Sequence, residues 1–352
     1  MRAPFDAHVH LRDGAMLETV APLTYRNFPG GALVMPNLVP PITTPQMARE
    51  YKERILQVIG DKAYPLVMTG YLTEDMDPKT VIEGFENGSW QAMKFYPRGM
   101  TTNSHGGISD IKKLGPVFEA MEKSGMPALF HGESPLWERG EKTDIYDREK
   151  AFFYEVAPWI LKTFPGLRVS FEHGSTRAFV SFLQTHGKKD RVVGTITAHH
   201  LLFDRNDFFA QGPDVHLHCY PVLKRVQDKQ ALRKLATAGH DFIFAGTDSA
   251  PHPTEAKERA CGCAGGVFTA HAAVELYTEV FEREGKLHKL EAFISTNASE
   301  FYKLPASPKE VILRKIQWAV ASMVELPKSQ QVRPLFYGND SATQRWIEWQ
   351  YA

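Results

Sequence analysis

The sequence predicts a (β/α)₈ barrel, and three observations carry that prediction. Eight short apolar runs recur along 352 residues. Helical stripes lie between them. Several runs end in a histidine, lysine or aspartate, as strands do when they aim polar side chains at one mouth of a barrel.

The runs lie near Phe5–His10, Ala32–Met35, Leu66–Tyr71, Ala92–Phe95, Ala128–His131, Val169–His173, Val192–Ile196 and Phe242–Thr247. They are bounded by Gly, Pro or polar residues and do not alternate, which suits strands covered on both faces. Thr44-Pro45 offers an N-cap and a first-turn proline, followed by Met47, Tyr51, Ile55 and Val58 at helical spacing. Ile111, Leu114, Val117, Phe118 and Met121 form the next stripe, stopped by Gly125 and Pro127. Asp228 is expected to cap a helix carrying Leu232 and Leu235 and ending at Gly239. Val215–Cys219 exceeds the count of eight and is expected as a short strand in a loop. The segment beyond about Pro305 reads as a helix from Val311 to Val324 and an irregular tail. The expectation is one domain over 1–352: a barrel over about 4–305, a C-terminal helical appendage over about 306–352, and no β-sandwich domain.

Composition narrows the function. An apolar fraction of 43% supports a sizeable core. Lys+Arg and Asp+Glu both number 41, so the basic footprint of a nucleic-acid binder is missing. No run approaches the ~18 apolar residues of a membrane span. Met1-Arg2-Ala3-Pro4 opens no signal peptide, so the reading is cytoplasmic, with no nucleic-acid or membrane partner. The three cysteines, Cys219, Cys261 and Cys263, make no disulfide framework and are read as free thiols.

His8 and His10, two apart on a strand, point to one face and could bind a divalent cation such as zinc. Lys94 sits in the apolar run Ala92-Met93-Lys94-Phe95. Burial would favour its neutral amine, which can take up carbon dioxide and become a carbamate able to bridge two cations. His131, His173 and Asp248 each end a strand. Taken singly, any of these is also what an ordinary core histidine, a snorkelling lysine or a turn aspartate looks like. Together they fall at the same mouth in the order of a two-metal hydrolase.

At this point the chain resembles the amidohydrolase superfamily, and within it the short, single-barrel dihydroorotases. The matching blocks are His8-Val9-His10-Leu11-Arg12-Asp13-Gly14, Met35-Pro36-Asn37-Leu38, Lys94-Phe95-Tyr96-Pro97, Thr101-Thr102-Asn103-Ser104, His131-Gly132-Glu133, Phe171-Glu172-His173, Cys219-Tyr220-Pro221-Val222-Leu223-Lys224, Gly246-Thr247-Asp248-Ser249-Ala250-Pro251-His252 and Cys261-Gly262-Cys263-Ala264-Gly265. The resemblance implies two zinc ions per chain. His8, His10, Lys94 and Asp248 would hold the more buried one. Lys94, as N6-carboxylysine, His131 and His173 would hold the second. It implies that Arg12, Asn37 and His252 bind a substrate carboxylate, with His131 also at the substrate. Backbone near Tyr220 and Ala264 would read the ring edge, and Thr101 and Thr102 would ride a lid loop. Asp248 would be the catalytic proton shuttle. The implied reaction is reversible closure of N-carbamoyl-L-aspartate to L-dihydroorotate in pyrimidine biosynthesis, by a homodimer.

Two positions depart from the pattern: Tyr220 stands where leucine is expected, and the lid around Arg98–Gly107 is about one residue short. The alternatives are another cyclic amidase (hydantoinase, dihydropyrimidinase or allantoinase) and a non-catalytic barrel. The amidases build a β-sandwich partly from residues before His-x-His, where only seven precede His8 here. A non-catalytic barrel would be expected to lose metal ligands, and all six positions are filled.

Overall fold

A run of four to six apolar residues can lose all its side-chain surface to water only if both faces are covered, and that is how these strands are placed. In the computed structural model, which describes residues 1–136, 140–327, 330–336 and 346–351, every residue of eight strands is buried. The strands are β1 (Phe5–Val9), β2 (Gly31–Val34), β3 (Leu66–Tyr71), β4 (Ala92–Phe95), β5 (Ala128–His131), β6 (Val169–Glu172), β7 (Val192–Ile196) and β8 (Ile243–Ala245). They pair in sequence order, each parallel to the next. β8 returns to β1 through a bridge between Val9 and Ser249 and a hydrogen bond from Asp248 N to His8 O. This is the expected (β/α)₈ barrel.

The barrel interior is apolar at the end away from the strand C-termini. Phe5, Ala7, Leu33, Val67, Leu129 and Phe244 meet there, closed from below by Phe301 and Tyr302. If Phe5 and Ala7 face inward, a regular strand would turn His8 outward. The register of β1 against β2 slips between Asp6 and Val9, a bulge. One extra residue reverses the alternation, and His8 and His10 both reach the mouth.

The helices mostly follow their sequence signals. Thr44 caps Pro45–Ile59 by accepting from Met47 N at 3.3 Å, and Gly60 ends it at φ 76°. Gly115–Ser124 follows a 3₁₀ turn over Ile111–Leu114 and stops at Gly125, φ 72°.

Three expectations are corrected. Asp228 lies in the first turn of the helix Val226–Thr237, and its carboxylate accepts from Arg225 N and from Arg177 N of a neighbouring helix. Val215–Leu217 is a 3₁₀ turn, not a strand. The C-terminal appendage carries no helix over Val311–Val324. Its described residues form antiparallel pairs: Leu313–Arg314 with Gln350–Tyr351, Trp318–Ala319 with Trp346–Ile347, and Val324–Glu325 with Gln331–Val332. The first two pairings join residues roughly 27 to 38 apart, which a local periodicity cannot register. The segment is also anchored to the barrel, through Met1 N to Val311 O and Tyr351 Oη to Asn27 O. Among the described residues no helix is long and apolar enough to cross a membrane.

Candidate active site

The strand ends bring all six proposed ligand residues to one mouth. Lys94 follows the inward parity of Ala92, and His131 that of Leu129. His173 would point outward if β6 continued, because Phe171 belongs to the outer core. It adopts φ 46° instead, and its ring comes within 4.7 Å of the His131 ring and 5.1 Å of the His8 ring, centre to centre. Asp248 has φ 44°. Left-handed backbone is uncommon for residues with a Cβ and tends to mark constrained functional positions.

Asp248 Oδ1 lies 3.0 Å from His10 Nε2 and 3.5 Å from His8 Nε2. His131 Nδ1 and His173 Nε2 are 3.2 Å apart. His8, His173 and Asp248 offer ligand atoms within 4.8 Å of one another. The outward nitrogens are held from behind: His8 Nδ1 by Glu172 Oε2 at 2.6 Å, and His131 Nε2 by Glu133 Oε2 at 2.8 Å. A carboxylate behind an imidazole fixes which nitrogen faces the centre, as it does around bound metals. Glu133 and Glu172 received no role from the sequence. Their signal was available, because each sits within two residues of a histidine proposed as a ligand.

Burial sets the charges. It pushes the His8 and His173 imidazoles well below their ordinary range, helped by the Lys94 charge at His8 and first by His131 at His173. His10 is lowered for the same first reason. Neutral imidazole is the form that ligates. Burial also acts to raise Asp248, but the His10 hydrogen bond and the His8, His10 and Lys94 charges outweigh it and bring the carboxyl to about 2.

Lys94 is the anomaly. It is fully buried, its Nζ has no hydrogen-bond partner, and burial brings its ammonium down to about 8 against the Glu172 and Asp248 charges. An orphaned amine among imidazoles and carboxylates is costly as an ammonium. Two imidazole clusters, a carboxylate and an amine without a hydrogen-bond partner are a donor set that fits divalent cations.

A second buried group, His199, His200 and Cys219, lies nearby. Both ring nitrogens of His200 are engaged, by Thr197 Oγ1 and Pro221 O. Lys257 and Lys224 add positive charge beside His199 and His200. That environment is adverse to a cation.

The expected substrate contacts gather beside this centre. Arg12, at φ 60°, donates Nε to Pro251 O at 3.1 Å, and its Nη2 lies 3.0 Å from His252 Nε2. Burial first, then the Arg12 charge, depresses His252 to about 2, so it is a neutral imidazole and no base near pH 7. Asn37 Nδ2 donates to Thr102 O, Asn103 Nδ2 to Asn37 O, and Thr102 Oγ1 to Gly265 O. The loop therefore spans the mouth, from the segment after β2 to the segment after β8. Thr102 makes the crossing contact, whereas Thr101 is held within the loop by Ser104. Tyr220 covers Gly265, where an added Cβ would lie 2.5 Å from its ring. Arg12, Thr102, His252, Cys263 and Ala264 line a cleft of about 600 Å³.

A dihydroorotase from Vibrio cholerae is 45% identical over 347 residues, covering 98% of this chain and 97% of its own. The chain belongs to the dihydroorotase family. It is accordingly a hydrolase of cyclic amide bonds, and the family together with the ligand groups at the mouth points to a metal cofactor. The crystal structure of a Saccharomyces cerevisiae dihydroorotase in complex with 5-fluoroorotic acid superposes with a TM-score of 0.90 at 30% identity, covering 100% of this chain and 97% of that one. An L-hydantoinase from Arthrobacter aurescens shares the fold alone, with a TM-score of 0.78 at 15% identity, covering 100% of this chain and 82% of that one. No family model matches the chain.

Proposed function

We propose that the chain catalyses the reversible cyclisation of N-carbamoyl-L-aspartate to L-dihydroorotate, with loss of water, using two zinc ions. The observation that carries the two-ion reading is the buried Nζ of Lys94, which has no hydrogen-bond partner and whose charge acts on His8, His10 and His173. Carboxylated, Lys94 would be an anionic ligand shared by the two sets of metal-holding residues. His8, His10 and Asp248 would complete one set, and His131 and His173 the other.

Bound there, the ions would acidify water and polarise the ring amide carbonyl. In the hydrolytic direction the water oxygen bonds to that carbonyl carbon and the ring C–N bond breaks. Asp248, whose Oδ1 faces His8 and His10, takes the water's proton on its carboxylate and passes it to the leaving nitrogen. The Arg12 guanidinium offers a fork to the substrate carboxylate, with Asn37 and His252 beside it. Backbone near Tyr220 and Ala264 would meet the ring edge. The loop carrying Thr101 and Thr102 would exclude water during the reaction. The reading extends to a step of pyrimidine biosynthesis, carried out by a cytoplasmic homodimer. The free thiols of Cys219, Cys261 and Cys263 suit a reducing compartment.

The test pairs metal analysis with substrate choice. The purified enzyme is expected to hold about two divalent ions per chain and to turn over dihydroorotate, with dihydrouracil a poor substrate. Active enzyme without metal would sink the site assignment. Efficient turnover of dihydrouracil or hydantoin would move the reading to the other cyclic amidases.

A further inference from the structure

Seven strand junctions of the barrel are ladders of paired residues. At the eighth, between β8 and β1, the pairing is the single bridge Val9–Ser249. That seam carries His8, His10 and Asp248, half of the proposed ligand set. The junction with the least strand pairing therefore bears the residues whose placement matters most.

Asp6 fills this seam. It is buried, and the β1 bulge leaves it on the outer side of the strand while His8 turns in. Its Oδ1 accepts from Thr247 N at 2.9 Å and from His8 N at 3.1 Å, and its Oδ2 accepts from Thr247 Oγ1 at 2.6 Å. Thr247 Oγ1 in turn accepts from Ser249 N at 3.0 Å. The residue between Thr247 and Ser249 is Asp248, with its left-handed backbone. A carboxylate buried at a seam is expensive, and this one is satisfied by groups that flank both ligand strands. These side-chain hydrogen bonds add to the backbone bonds across the seam, Asp248 N to His8 O at 2.8 Å and His10 N to Ser249 O at 3.1 Å.

We propose that Asp6, through Thr247, is a positioning residue for the reaction: it fixes the turn that holds Asp248 and the bulge that aims His8. The idea rests on the catalytic reading above, because Asp248 is the group positioned. Asp6 itself touches neither the substrate nor the reacting atoms.

The test uses the full-length enzyme loaded with cobalt in place of zinc. Thr247→Val removes the hydroxyl at nearly constant volume, and Thr247→Ser keeps it. Thr247→Val is expected to lower kcat about tenfold or more, as small misplacements of a catalytic group do, with KM little changed. The visible cobalt bands should shift because the ligand geometry has moved. Thr247→Ser should restore both. If Thr247→Val does not fold, Asp6→Asn carries the same expectation, since it keeps the size but replaces one acceptor oxygen by a donor.

Parental kcat and parental cobalt bands in the variant would overturn the proposal. So would a loss of rate that only tracks the folded fraction and that serine does not restore. The unmodified enzyme is assayed alongside. If it fails to turn over dihydroorotate, the functional reading fails; if it succeeds while Thr247→Val matches it, only the role of Asp6 fails.

Discussion

His131 Nδ1 and His173 Nε2 face each other at 3.2 Å, and the other nitrogen of His131 is taken by Glu133 at 2.8 Å. Two nitrogens each about 2.0–2.1 Å from one tetrahedral ion would stand at nearly this spacing. Glu133→Gln keeps the shape behind His131 but weakens the carboxylate's pull on the ring. We expect metal affinity to fall by about 10–100-fold, read by competition with a chelator, while the fold is retained. Unchanged affinity would remove Glu133 from the metal site.

Lys94→Ala should lose bridging metal and nearly all activity, because neither alanine nor a substitute side chain can form a carbamate. Short carboxylic acids added to the alanine variant should restore part of the rate by filling the gap. Full metal content and full rate in Lys94→Ala would show that the bridge is wrong.

Arg12→Met separates substrate from metal. Its guanidinium meets Pro251 O and His252, not the ligand histidines. Metal content should stay at the parental value while kcat/KM for dihydroorotate drops by about 10² or more, the scale of losing a charged hydrogen-bond partner worth about 3 kcal/mol. Loss of metal in this variant would place Arg12 in the ligand scaffold instead.

Asp248→Asn keeps an oxygen ligand but cannot accept a proton near pH 7. Metal should largely remain, and turnover should fall by roughly 10²–10⁴. In the unmodified enzyme, hydrolysis should rise with pH through one ionisation shared by Asp248, the metals and water, since the isolated Asp248 carboxyl is already ionised above about 2. The variant should lose most of its rate across that whole range. A near-parental rate with the same pH profile would assign the proton to another group. His252, held neutral down to about 2, would not be that group in this geometry.

Much of this protein is written locally. Lys94 and His131 follow from apolar runs whose inward parity continues to the polar residue, and the strand runs Leu66–Tyr71, Ala92–Phe95, Ala128–His131 and Val192–Ile196 match the barrel end to end. Thr44-Pro45 and Gly60 mark a helix because capping and left-handed termination are properties of single residues. These features need only the neighbours in sequence, so the sequence determines them.

What only the tertiary structure decided depends on distant partners. His8 and His10 share a face by spacing, but which face is set by the bulge in β1, and a bulge is defined by the register against β2. His173 reaches the centre through a left-handed turn that no alternation predicts. Asp6 and Thr247, 241 residues apart, meet because the last strand closes on the first. The C-terminal strands failed as a helix for the same reason: Trp318 pairs with Ile347, and a pattern within 311–324 holds no trace of that partner. Side-chain periodicity fixes direction relative to the chain's own axis, whereas register, closure and charge come from what the chain is packed against.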